Sequence, residues 1–261
     1  MAKCVALFLK SEKDLKTATY VITSMGLFTK KTTLVVKQLD YTKPFVIINF
    51  KTYIDATGAN AVKLAKICER VQDKTKINII ISVQAIDLKE IASTVKIPVY
   101  SQHVDPLTAG KTTGGIIPEH LSTINIHGSL INHSEKRILL KDIKAIVLKL
   151  RELNMKSVVC AKDYKEAAVF AKMQPVKPDF IAIEPPELIG GEKSVSTAKP
   201  EIIPKAVKAC GGINVLVGAG IKDANDLKVA LVHGAKGVLL ASHFVLSKDP
   251  EKFLMDLVQG V

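Results

Sequence analysis

With 261 residues, 48% of them hydrophobic, the chain can bury a substantial core. No apolar run reaches the roughly 18 residues that span a bilayer as a helix, so the sequence reads as having no membrane segment. Aromatics make up 5% and tryptophan is absent, which argues against a surface that stacks on single-stranded nucleic acid.

The net charge of +12 is divided between the two parts of the chain: residues 1–43 hold 8 Lys against 3 acids, and the remainder carries +7. The lysines are scattered along helical faces with no basic block, so nucleic acid is not the expected partner; small anionic substrates are. Cys4, Cys68, Cys160 and Cys210 are far apart and form no CxxC pair, a pattern of neither a disulfide framework nor a zinc site. A reducing cytoplasm is the expected location. His103 with Asp105 is the one local ligand-like pair, too little to define a metal site.

Residues 1–43 have mixed composition, no long helical stripe and no Arg-rich amphipathic character, so a transit peptide is not expected. Val5–Leu9 and Leu34–Val36 have the make-up of short strands. Three readings stand for this segment: a start placed too far upstream, a disordered tail, or an added interaction segment. The first two are preferred.

After Thr42 the pattern becomes regular. Apolar runs at Phe45–Phe50, Ile77–Ile81, Ile97–Tyr100, Ile124–Ile131, Ser157–Cys160, Phe180–Ile183, Asn214–Val217 and Gly237–Leu240 predict strands buried on both faces. Between most of them lie helical patterns: Ala59–Val71, Ile86–Thr94, Glu135–Leu153, Tyr164–Met173, Lys199–Ala209, Asp223–His233 and Pro250–Val258. In the third, Ile138, Leu139, Ile143, Ile146, Val147 and Leu150 form one apolar stripe with lysines opposite. Such alternation implies a parallel sheet with right-handed crossovers, and about eight units favour a closed (β/α)8 barrel over a long doubly wound sheet. Gly218-Ala219-Gly220 does not complete a dinucleotide fingerprint. The expected organisation is an N-terminal extension over 1–43 and a catalytic barrel over 44–261.

In that fold the C-terminal ends of the strands carry the chemistry. Those ends hold Asn49 and Lys51, His103, His133, Glu184, Gly218 and Gly220, then Ala241 and Ser242. Glu184 is the most telling of them. It ends an apolar strand, and Pro185 cannot extend the ladder, so the carboxylate is pinned at a rigid tip before a glycine-containing loop. A base, an imidazole, an ammonium and turns of small residues on one rim suit proton transfer on a small phosphorylated compound.

Seven segments, INFKTY (Ile48–Tyr53), SQHVDP (Ser101–Pro106), LINHSEKR (Leu130–Arg137), VVCA (Val158–Ala161), IEPPELIG (Ile183–Gly190), VGAGI (Val217–Ile221) and GVLLAS (Gly237–Ser242), stand in the order found in the triosephosphate isomerase family. The chain resembles the short archaeal form of that family from Lys43 to Val261. The resemblance implies interconversion of dihydroxyacetone phosphate and D-glyceraldehyde 3-phosphate, a step of glycolysis and gluconeogenesis, without cofactor or metal. It implies that Glu184 shuttles the proton, that neutral His133 polarises the carbonyl, that Lys51 supplies a fixed charge and that Asn49 helps position substrate and lysine. The expected helix beginning near Ser134 would disfavour the imidazolium at His133. Phosphate is expected on backbone N–H groups of a lid around Ile189 and Gly190, of the turn at Gly218 and Gly220, and of Ala241 and Ser242. The resemblance also suggests a homotetramer or homodimer, with the loop His103–Gly115 at the interface.

Two features depart from the family. Where its archaeal members continue the lid as IGTG, this chain reads Ile189-Gly190-Gly191-Glu192, which is expected to loosen closure. Residues 1–43 precede the family's usual start. These departures motivate the alternative of a catalytically impaired barrel kept as a phosphate-ligand-binding or scaffold protein. Among enzymes, the competing reading is a phosphoribosyl isomerase, which would use paired carboxylates or an acid–cysteine pair that this rim lacks.

Overall fold

The computed structural model describes residues 19–20, 30–31, 35–185, 194–259 and 261. The chain divides into two compact units, Met1–Val35 and Val36–Val261. Within the first, β1 (Thr19–Tyr20) pairs antiparallel with β2 (Lys30–Lys31).

The second unit is a closed parallel barrel. Its strands are β3 (Phe45–Asn49), β4 (Asn78–Val83), β5 (Val99–Ser101), β6 (Gly128–Ile131), β7 (Lys156–Ala161), β8 (Phe180–Ile183), β9 (Asn214–Val217) and β10 (Gly237–Leu240). They follow one another around the ring in chain order, and β10 closes on β3 through Val238 opposite Val46 and Leu240 opposite Ile48. The connections carry α1 (Ala59–Thr75), α2 (Leu88–Ala92), α3 (Pro118–Thr123), α4 (Leu140–Glu152), α5 (Tyr164–Ala171), α6 (Val195–Ala198), α7 (Ile202–Cys210), α8 (Ala224–Val232), α9 (Ser242–Val245) and α10 (Pro250–Leu257). This is the (β/α)8 barrel expected from the alternation of elements.

Side-chain alternation divides the core in two. Phe45, Ile47, Ile80, Tyr100, Leu130, Val158, Phe180, Ala182, Leu216 and Leu239 fill the barrel interior. Their neighbours Val46, Ile48, Ile79, Ile81, Val159, Ile181, Val215 and Val238 face the helices, meeting Leu64, Ile91, Ile146, Leu150 and Leu227. Both faces of every strand are therefore apolar. Truncating one of these side chains to alanine is expected to cost about 2–5 kcal/mol.

The end of the barrel where the strands begin is closed by the chain that leads into β3. Asp40 N–H donates to Asn78 Oδ1 at 2.8 Å, and Asn78 Nδ2 donates back to Asp40 O at 2.7 Å. Leu39 packs on the interior cluster. The Tyr41 ring lies 5.3 Å from that of Phe45 and stacks on Phe180 at 6.4 Å. Lys37 N–H bonds to Lys96 O at 2.8 Å.

Several boundaries differ from expectation. The helix predicted from Glu135 begins only at Leu140, because the chain from Ser134 to Leu139 is committed to contacts on the rim. The strand predicted from Ile124 begins at Gly128: Ile124 caps α3, and Asn125 has a left-handed φ of 63° that breaks any extended run. Val35 and Val36 are not in a strand, while Leu34 and Val5–Leu9 lie outside the described residues.

Candidate active site

Four of the expected residues meet at the C-terminal rim. Asn49 ends β3, and its Oδ1 accepts the Lys51 N–H at 2.9 Å, closing a short turn. That turn holds Lys51 at φ 50°, a left-handed conformation unusual for a lysine, and Gln102 Nε2 ties down its carbonyl at 2.8 Å. The Lys51 ammonium is thereby brought to Glu135, with Nζ 2.6 Å from Oε1. His133 follows β6. Glu184 continues the β8 ladder by one residue, its N–H bonded to Ala161 O at 2.9 Å, before Pro185 ends the pairing.

The His133 Nε2 lies 3.6 Å from Glu184 Oε1. On the other side of the ring, Nδ1 accepts the Glu135 N–H at 3.2 Å. An acceptor at Nδ1 carries no proton, so the ring proton sits on Nε2 and faces the carboxylate. The helix argument for a neutral imidazole does not apply, since α4 starts at Leu140; the Glu135 amide does that work locally.

Burial opposes charge on His133, but the adjacent Glu184 carboxylate outweighs it and draws the imidazole pKa upward. The stability this gives is full below the usual 6.5 and is lost as pH rises through the raised value. Displacing the Glu184 carboxylate from the ring removes the larger upward pull, leaving burial and Lys51, which lower the pKa, against the Glu135 carboxylate, which raises it. Glu184 shows the reverse balance. Burial raises its pKa, yet His133, the Cys160 thiol and Lys51 together hold the carboxyl below its usual 4.5. A carboxylate only 6% exposed is thus kept ionised, and its Oε2 has no hydrogen-bond partner among the described residues.

These groups line one open pocket together with Gly220, Ala241 and Ser242. Ala219 and Gly220 both have left-handed φ, 69° and 72°, so their amides form a concave turn that a glycine and an alanine leave uncovered. Ile221 and His243 also line the cavity.

Gly218 is placed differently. A Cβ there would lie 2.5 Å from Glu184 Cγ and 3.0 Å from Oε1, so the missing side chain makes room for the carboxylate arm. Ile189, Gly190, Gly191 and Glu192 lie outside the described residues. His103 lines an adjoining pocket with Asn49, Lys51 and His133, but its Nε2 meets Asp105 Oδ1 at 3.0 Å, while Asp105 Oδ2 accepts the Ile116 N–H at 2.7 Å, closing the base of the loop. Among the described residues no three of His, Cys, Asp and Glu gather as for a metal ion. Glu135 bonds Lys51, whereas Arg137 pairs with Glu166. Cys160 is a packed core thiol that also rests against the catalytic-candidate carboxylate. Gln102 and Asn132, which brace the rim, were not recognised.

Fold and rim together define a (β/α)8 barrel with an acid–base site: an ionised buried carboxylate beside an imidazole and an ammonium, next to a turn fit for an anion. The chain belongs to the triosephosphate isomerase family, whose sequence model matches residues 44–260. It is 45% identical over 220 residues to the triosephosphate isomerase of Methanothermus fervidus, covering 83% of this chain and 98% of that protein. Identity to the triosephosphate isomerase of Methanobacterium bryantii is 46% over 222 residues, 84% of this chain and 97% of the relative. That of Methanocaldococcus jannaschii is 42% identical over 220 residues, 83% of this chain and 99% of its own length.

Proposed function

We propose that this chain interconverts dihydroxyacetone phosphate and D-glyceraldehyde 3-phosphate, as the names of its relatives suggest, and so serves glycolysis and gluconeogenesis. The observation that carries the proposal is the buried, ionised Glu184 with His133 Nε2 at 3.6 Å and Lys51 on the same cavity. The Glu184 carboxylate takes the proton from the substrate carbon beside the carbonyl, giving an enediolate, and returns it to the neighbouring carbon. The electrons stay within the substrate, so the reaction calls for no cofactor or metal. His133 donates the Nε2 proton to the carbonyl oxygen where negative charge develops and takes one back from the neighbouring hydroxyl. The old carbonyl thus becomes a hydroxyl as the new one forms, and Lys51 stabilises the charge. Asn49 Oδ1 accepts the Lys51 N–H and so fixes the lysine relative to β3.

The phosphate lies, in this reading, on the amides of Gly220, Ala241 and Ser242, with Gly218 acting chiefly through Glu184. Ile189 and Gly190 would belong to a lid that keeps water from the enediolate, which otherwise eliminates its phosphate. A homo-oligomer, tetramer or dimer, joined through the loop His103–Gly115, and a cytoplasmic location complete the proposal. No described helix is long and apolar enough to cross a membrane.

A coupled assay with D-glyceraldehyde 3-phosphate tests this. Turnover by the wild type that drops by about 10²-fold or more in His133→Gln is the expected result. A folded but inactive wild type would leave a binding or scaffold role instead.

A further inference from the structure

We propose that Asn132 is a positioning residue of this site, setting the direction of His133 and, through the loop that follows, its tautomer. The inference rests on the isomerase reading and adds to it a residue that touches neither substrate nor base. Along β6, Leu130 points into the barrel and Ile131 toward the helices. Uninterrupted alternation would put His133 on the same side as Ile131. Asn132 breaks the alternation with a left-handed φ of 61°, and His133 lines the rim cavity. Asparagine is among the few residues with a side chain that tolerate this conformation.

The Asn132 side chain is 2% exposed and bonded at both ends. Nδ2 donates to Cys160 O on β7 at 3.0 Å, and Oδ1 accepts the Ile138 N–H at 3.1 Å. Its main-chain carbonyl accepts from Arg137 Nη1 at 3.4 Å. One amide therefore joins the strand that carries Cys160, against which Glu184 rests, to the far end of the loop after His133. That loop contains Glu135, whose N–H fixes the Nδ1 side of the imidazole and whose carboxylate holds Lys51. Removing the side chain releases the loop and loosens His133 relative to Glu184, while leaving the anion-facing turn at Ala219 and Gly220 in place.

Two variants separate this role from a merely structural one. Asn132→Gly keeps the left-handed backbone accessible but removes both side-chain bonds. Asn132→Asp keeps an acceptor for the Ile138 N–H and sets an oxygen against the Cys160 carbonyl. The readouts are kcat and KM per folded molecule, below each variant's unfolding range, with imidazole 15N spectra reporting the His133 tautomer. The expected result is a kcat lower by about 10–100-fold in both variants, KM within about threefold, and partial loss of the Nε2–H tautomer of His133. A folded Asn132→Gly with kcat within about twofold of wild type overturns the inference. So does failure of both variants to fold, which would make Asn132 a residue of the fold alone. An inactive wild type would refute the isomerase reading itself, and this role with it, and is told apart by the wild-type assay.

Discussion

The two ends of the barrel are built on opposite principles. Where the strands begin, Asn78 and Asp40 exchange two hydrogen bonds, Tyr41 stacks on Phe180, and Phe45 meets Phe180 edge-on. Where the strands end, Lys51 and Ala219 have left-handed backbones, Glu184 is buried and charged, and its Oε2 has no partner among the described residues. Pairing and packing at one end provide stability, while the other holds a buried ionised carboxylate beside an imidazole and an ammonium, the groups that do chemistry.

Exchanging the effects of mutations at the two ends would break that contrast. Outside the acid and the imidazole themselves, the largest effect is expected at Gly218→Ala. The new Cβ would lie 2.5 Å from Glu184 Cγ and must displace the carboxylate arm, so kcat should fall by about 10²-fold with little change in unfolding temperature. Steady-state kinetics beside thermal unfolding decide it; a variant of normal kcat would show that Glu184 is not held where the rim requires.

At the opposite end, Asn78→Ala leaves the Asp40 amide and carbonyl without their partner. Stability should drop by about 1–3 kcal/mol in denaturant titrations, with kcat per folded molecule unchanged. A fall in kcat of similar size to that of Gly218→Ala would mean that the two ends are coupled.

The smallest effect belongs to neither end. Arg70 and Lys74 on α1 hold Glu251 on α10 at 2.6 and 2.9 Å, with Arg70 first and Lys74 second in drawing its carboxyl down to about 2. A lowered carboxyl contributes stability above its usual 4.5 and loses it as pH falls toward 2. Because these side chains are partly exposed, Glu251→Gln should cost less than about 1 kcal/mol at neutral pH, and its unfolding should match wild type near pH 2.

The barrel was legible in the sequence because its strands are short apolar runs set off by glycine, proline or polar residues. Phe180–Ile183, Asn214–Val217 and Gly237–Leu240 were predicted to the residue. What stayed hidden depends on contacts between segments far apart in the chain. Ile138 and Leu139 fit a helical stripe, yet Asn132 takes the Ile138 amide and holds the loop open until Leu140. Gly218 read as a small residue for phosphate, while its closest neighbour is a side chain from the adjacent strand end. Glu184, His133 and Lys51 could be named from the strand-end motifs. That Glu135 serves both His133 and Lys51, and that Gln102 anchors Lys51, required the assembled ring.

The central claim is that the Glu184 carboxylate moves the substrate proton. The most direct measurement is incorporation of solvent deuterium into dihydroxyacetone phosphate by wild type and Glu184→Gln, followed by NMR. Exchange by the wild type and a rate lower by about 10³-fold or more in the folded glutamine variant is the expected result. Exchange persisting at the wild-type rate in Glu184→Gln would contradict it and place the base elsewhere.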